Sequence, residues 1–176
     1  EKKTNNQLLK RVNDCDDEKV LKFLAKDNYF LKKKHSKDLV KILWECCQIP
    51  DFSKKAYGNH MDVVIKVFEF LKSKGGKVTN DFMKTQLKHL DKYDGNIDTL
   101  TNRISNIRTW SYVTNKKGWT ENSDFWIERT KSIEDKLSDK LHDELTKSFV
   151  DKRMSILSRS LKQDIVLGTE IRNENE

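Results

Sequence analysis

The amino-acid sequence predicts an all-α chain, an irregular bundle of about six to seven helices with one long spine helix. Three observations carry that prediction. Apolar residues recur every three or four positions along most of the 176 residues, the period of a helix that buries one stripe. The chain has only six glycines and one proline, and both residue types interrupt helices. Charged residues make up 36% and hydrophobic ones 35%. The usual charged share is about 25%, so apolar stripes are narrow and polar faces wide, as in a thin or elongated bundle. Disorder is the competing reading for so polar a chain. Four Trp, four Tyr and eight Phe oppose it, because aromatic side chains bury large areas.

Thr4 to Val12 reads as a short helix or an arriving tail, with Leu8, Leu9 and Val12 on one side. Asn13 to Asp17 is an acidic turn. Asp16 or Asp17 is placed to cap a helix in which Val20, Leu21 and Leu24 recur at helical spacing. Lys32-Lys33-Lys34 reads as a solvated connector. Ser36 is a cap candidate for a helix through Cys47, with Leu39, Val40, Leu43, Trp44 and Cys47 as its stripe. Pro50 stops it, since proline disfavours helical geometry at the residue before it. A helix from about Gly58 to Lys74 carries Met61, Val64, Ile65, Phe68 and Leu71, and Gly75-Gly76 ends it. Thr79 or Asn80 opens the next, with Phe82, Met83, Leu87 and Leu90. Asp94-Gly95 makes a turn, and Asn96 or Asp98 starts a helix to about Val113. Asn115 to Gly118 is a basic loop with Trp119 just beyond. Ser123 or Asp124 caps the longest helix, from about Phe125 to Arg153. A last helical stretch carries Ile156, Leu157, Leu161 and Ile165, and Asn173 to Glu176 is expected to fray. No repeat is visible, and the length suits a single domain over 1–176. Residue 1 is Glu, so the chain is expected to be a piece of a longer protein.

Two of these helices repay a finer reading. At 100° per residue, Ile97, Leu100, Ile104 and Ile107 share one face, with Arg103 and Arg108 on its opposite shoulders. Arg103 sits with Ile107 and Trp110, and Arg108 with Ile104 and Tyr112. An Arg beside an aromatic at such spacing stacks on the ring while reaching an anion; otherwise its stem covers the rim of the core. In the longest helix, Ile133, Leu137, Leu141, Leu145 and Phe149 run in fours. Each step of four overshoots a turn by about 40°, so the stripe winds and the helix is expected to meet several neighbours as a spine.

The residues carry no constellation of catalytic chemistry. Gly75-Gly76-Lys77-Val78-Thr79 has letters of a phosphate-binding loop in the wrong order, with Leu71 where the first Gly is needed. Asp94-Gly95-Asn96-Ile97-Asp98 begins like a calcium loop. Thr99 stands at its sixth position and Ser105 at its twelfth, so helix capping accounts for it better. His35, His60, His89 and His142 show no paired ligand spacing, and no metal is expected. Cys15, Cys46 and Cys47 read as reduced thiols in a cytoplasmic setting. No apolar run approaches the ~20 residues of a membrane span. The net charge of +7 permits an anionic partner without requiring one. On these residues alone the chain is a helical binding or scaffolding domain.

Three segments resemble one helicase family. They are Leu43-Trp44-Glu45-Cys46-Cys47-Gln48-Ile49-Pro50-Asp51-Phe52, then Asp94-Gly95-Asn96-Ile97-Asp98-Thr99-Leu100 continuing to Ile107-Arg108-Thr109-Trp110, then Glu134-Asp135-Lys136-Leu137-Ser138-Asp139 through Phe149-Val150-Asp151-Lys152-Arg153. In this order, over about Leu39 to Leu161, the chain resembles the C-terminal helical region of alphaproteobacterial DExH-box helicases related to the mitochondrial suppressor-of-Var RNA helicase. Ser53 and Ser148 stand where that family has basic residues, which weakens any contact expected there. The resemblance implies a parent with two RecA-like lobes that hydrolyse ATP with Mg and move on RNA. Those lobes lie outside this chain, so neither a catalytic residue nor a cofactor is expected in it. The implied partners are the motor lobes and single-stranded RNA, with no membrane. A wall for a single strand combines cations with aromatic faces. The expected strand-facing residues are Arg103, Arg108, Lys116 and Lys117, with Trp110 or Trp119 beside them. The alternative is a helical protein-interaction module that does not touch nucleic acid.

Overall fold

A computed structural model describes residues 15–26, 37–53, 57–73 and 76–173, with the backbone alone at 25–26, 57–58 and 164–173. The expected Thr4–Val12 helix, the Lys32–Lys34 connector, the Ser36 cap and Gly75 lie outside the described residues. Among those described, six helices follow one another: α1 Asp16–Lys26, α2 Lys37–Cys47, α3 Tyr57–Leu71, α4 Asn80–Lys88, α5 Ile97–Asn115 and α6 Ser123–Asn173. The all-α bundle is therefore as the apolar spacing predicts.

Local chemistry sets the helix boundaries. Asp16, Asp17 and Glu18 fill the first turn of α1, where negative charge suits the helix dipole. Thr79 caps α4, accepting from the Phe82 amide at 3.4 Å. Asn96 caps α5, accepting from the Thr99 amide at 2.9 Å and its hydroxyl at 2.7 Å. Gly95, at φ 129°, supplies the turn that brings Asn96 to that position, a backbone setting a Cβ would strain. The Asp94–Asp98 stretch thus starts a helix. The expected end of α3 at Lys74 moves back to Leu71.

The core is one cluster. Val20 and Leu24 of α1 join Cys46 and Cys47 of α2, and Val64, Val67 and Leu71 of α3. Met83 and Leu87 of α4 meet Leu100, Ile107 and Val113 of α5, and Ile133 and Leu137 of α6. The most extensive helix pairing is α5 with α6. It is antiparallel, as the links from Thr114 to Thr130 and from Arg108 to Glu134 show. A short β-bridge joins Val78 to Thr120, with the Val78 amide donating to Trp119 at 2.7 Å. Beside it, the Asn80 amide donates to Glu121 at 2.9 Å, and the Trp126 indole donates to Asn80 Oδ1 at 2.8 Å. These contacts staple the start of α4 to the start of α6.

The structure corrects the reading of the C-terminal half in two ways. The helix expected to stop near Arg153 and the stretch carrying Ile156 to Ile165 are one helix of 51 residues, reaching Asn173. Nothing between Arg153 and Ile156 breaks it, because Met154 and Ser155 tolerate helical geometry and no proline follows. The spine also ends early. Ile133 and Leu137 are buried and Leu141 partly so, whereas Leu145 and Phe149 are exposed. The cause is length. α5 has 19 residues, about 28 Å, and as an antiparallel partner it covers α6 only to about Leu145.

Candidate nucleic-acid interface

The six residues expected to face a strand fall in separate places. The Arg103 guanidinium donates to the Lys92 carbonyl at 2.9 Å and to the Asp94 carbonyl, with the Asp94 carboxylate 3.8 Å away. Its side chain is only 16% exposed. Arg103 therefore closes the α4–α5 loop. On the other shoulder of α5, Arg108 Nε donates to Glu134 Oε1 at 2.8 Å, and half of its side chain remains exposed. That pair links α5 to α6. Its strength is modest, since exposed ion pairs contribute about 0–1 kcal/mol.

Trp110 and Trp119 are 4% and 7% exposed. The Trp110 ring packs edge-on against Phe82 with centroids 5.8 Å apart, inside the core. Lys116 lies over Tyr112 at 5.1 Å and over Trp119 at 5.9 Å, so it covers the Trp119 ring. Lys117 is exposed in the loop. About 20 Å of helix axis separates Arg103 from Lys116. The structure thus joins Lys116 with Trp119, Arg103 with a loop, and Arg108 with Glu134, without gathering the six into one patch.

A polar cleft of about 740 Å³ opens between α3, α4 and α5, lined by Asp51, His60, His89, Asp98, Asn102 and Asn106. Burial holds the His60 imidazole below its ordinary value, against the opposing pull of Asp51, the Ile49 backbone and Asp16. The described residues contain no group of three His, Cys, Asp or Glu placed to hold a metal ion. Burial pushes the Cys46 thiol up to about 12 and Cys47 to about 11. Both are buried, while Cys15 is exposed, and all three are free thiols.

The surface that sequence reasoning missed is the outer half of α6. Leu145, Phe149, Val150, Met154, Ile156 and Leu157 are all exposed, as is Leu161. At 100° per residue, Val150, Met154, Leu157 and Leu161 fall within about 60°, with Phe149 and Ile156 on one flank. Lys152, Arg159 and Lys162 take the opposite side. The signal was present in the sequence as an amphipathic stripe, which does not tell a buried face from an uncovered one. No described helix is long and apolar enough to cross a membrane. Comparison of the chain with protein-family models, with curated proteins and with solved structures finds no match in any of the three.

Proposed function

We propose that the chain is the non-catalytic helical domain of an ATP-dependent RNA helicase, bracing the motor lobes and lining the path of a single strand. Two observations support this reading. One is the order of the three sequence segments that resemble the helicase family. The other, which carries the bracing role, is the apolar band on the outer half of α6. A contiguous exposed apolar face of this kind marks a docking surface. With Arg153 over the Phe149 ring at one edge and Lys152, Arg159 and Lys162 on the far side of the helix, the band suits a partner surface with an apolar floor.

A second reading, an interaction module that does not touch nucleic acid, draws support from the burial of Trp110 and Trp119 and from the commitment of Arg103 to the α4–α5 loop. Two tests bear on the proposal. The reading frame on the N-terminal side should encode the ATPase motifs of two RecA-like lobes; a frame without them removes the helicase reading. In the parent protein, Leu157→Asp with Leu161→Asp should lower RNA-stimulated ATP hydrolysis at least fivefold. Unchanged hydrolysis would show that α6 braces nothing.

A further inference from the structure

We propose that the groove between α4 and the first turns of α6 binds a single polynucleotide strand, with Phe125 as a stacking platform and Lys84 and Lys88 as phosphate partners. The inference rests on the reading that a strand runs along this domain, and it moves the contact away from the α5 arginines.

The groove measures about 810 Å³ and is lined by Lys84, Leu87, Lys88, Phe125, Trp126 and Arg129. Leu87, Trp126 and Ile133 form its apolar floor. Phe125 is 58% exposed, yet it is held in place, because its ring meets Trp126 edge-on at 4.8 Å. Trp126 is in turn fixed by its bond to Asn80. An exposed aromatic ring on a rigid support is what a base needs for stacking, at little ordering cost. Lys84 and Lys88 lie one turn apart on α4, about 6 Å along its axis. Both are exposed, and neither has an ion-pair partner among the described residues.

The remaining charges in the groove are mostly committed. Arg129 pairs with Asp91, which also accepts from the Tyr93 hydroxyl, and Glu121, which accepts from the Asn80 amide, lies outside the groove lining. Asp81 is the exposed carboxylate at the rim, so two uncommitted cations face one anion. Farther along α6, Lys136 lies over the Tyr93 ring at 5.9 Å. Phe125, Arg129 and Lys136 fall within about 40° of one another around the helix, which continues the alternation of ring and cation down one face. An acidic peptide would satisfy the lysines equally. The bare Phe125 ring, with cations and no added acceptor array, favours a planar base joined to repeated phosphates.

The test is fluorescence anisotropy of a labelled 12-nucleotide oligo(U) with the 176-residue chain, from 50 to 200 mM salt. The wild type should bind, more weakly as salt rises. Phe125→Ala should weaken binding about tenfold with the salt slope unchanged, and Phe125→Trp should restore it. Lys84→Gln with Lys88→Gln should lower the slope by about 1.4, at ~0.7 per phosphate. Oligo(dT) should bind within a few-fold, since stacking and charge ignore the sugar hydroxyl. These are surface positions, and far-UV circular dichroism confirms that each variant is folded. The proposal is overturned if the wild type does not bind, if only Arg103→Ala with Lys116→Ala weakens binding, or if oligoglutamate binds as well as oligo(U). The hydrolysis test of α6 does not involve Phe125, so failure here leaves the bracing role standing, and the reverse also holds.

Discussion

Single side chains already separate structure from surface in this protein. Arg103 supplies the donor for two loop carbonyls. Arg103→Ala should cost about 1–2 kcal/mol in urea unfolding, whereas Lys117→Ala should stay within about 0.5 kcal/mol. Equal effects would mean that Arg103 does not close the loop. The thiols divide in the same manner. With Cys46 and Cys47 pushed up to about 12 and about 11, their thiolate fraction near neutral pH is negligible, and the thiolate is the nucleophile. Mass spectrometry after iodoacetamide should find one adduct, on Cys15, in the native chain and three in denaturant. His60 gives a pH signature. Its folded value lies below its ordinary 6.5, so the unfolded chain binds the extra proton first. The contribution of His60 is thus complete above about 6.5 and is lost as pH falls below it. The melting temperature should drop between pH 7 and pH 5, and drop less in His60→Gln.

At the scale of the helix, α6 changes character along its length, and truncation should read that change directly. Leu137→Ala empties a site with no solvent exposure and should cost about 2–5 kcal/mol. Leu157→Ala should stay within about 0.5 kcal/mol, measured in the same chain by urea unfolding. A large loss at Leu157 would mean that the band is already covered. How far the sequence is legible is clearest here. The sequence narrows the two caps to Thr79 or Asn80 and to Asn96 or Asp98, of which the structure uses Thr79 and Asn96, and the stripe of Leu100, Ile104 and Ile107 reads as it stands, because capping and helical spacing are local. The burial limit at Leu145 depends on the length of α5, which one helix's pattern does not contain. Likewise Trp110 and Arg103 share a shoulder by spacing, but Phe82 and the Lys92–Asp94 loop decide what that shoulder touches. The exposure of Phe125 is likewise not contained in its own spacing. Adjacent aromatics on a helix differ by about 100°, so either can face outward, and the bond from Trp126 to Asn80 says which does here.

For the molecule as a whole, the described helices divide into a packed body and a single protruding element. The body is tied by contacts distant in sequence, such as Asn80 with Trp126 and Thr109 with the Pro50 carbonyl at 3.1 Å. Amide hydrogen exchange should follow that division. Residues 126–141 should exchange only on global opening, and residues 150–163 by local fraying at far lower cost. Uniform protection along α6 would contradict it. About 40 Å of continuous helix lies beyond Leu145, and among the described residues the core packs against its near end. Such a rod magnifies angle into distance. A tilt of about 5° at the α5–α6 seam moves its far end by about 3.5 Å over that length, so a small rearrangement where Arg108 meets Glu134 is felt as a full side-chain displacement by whatever holds the tip.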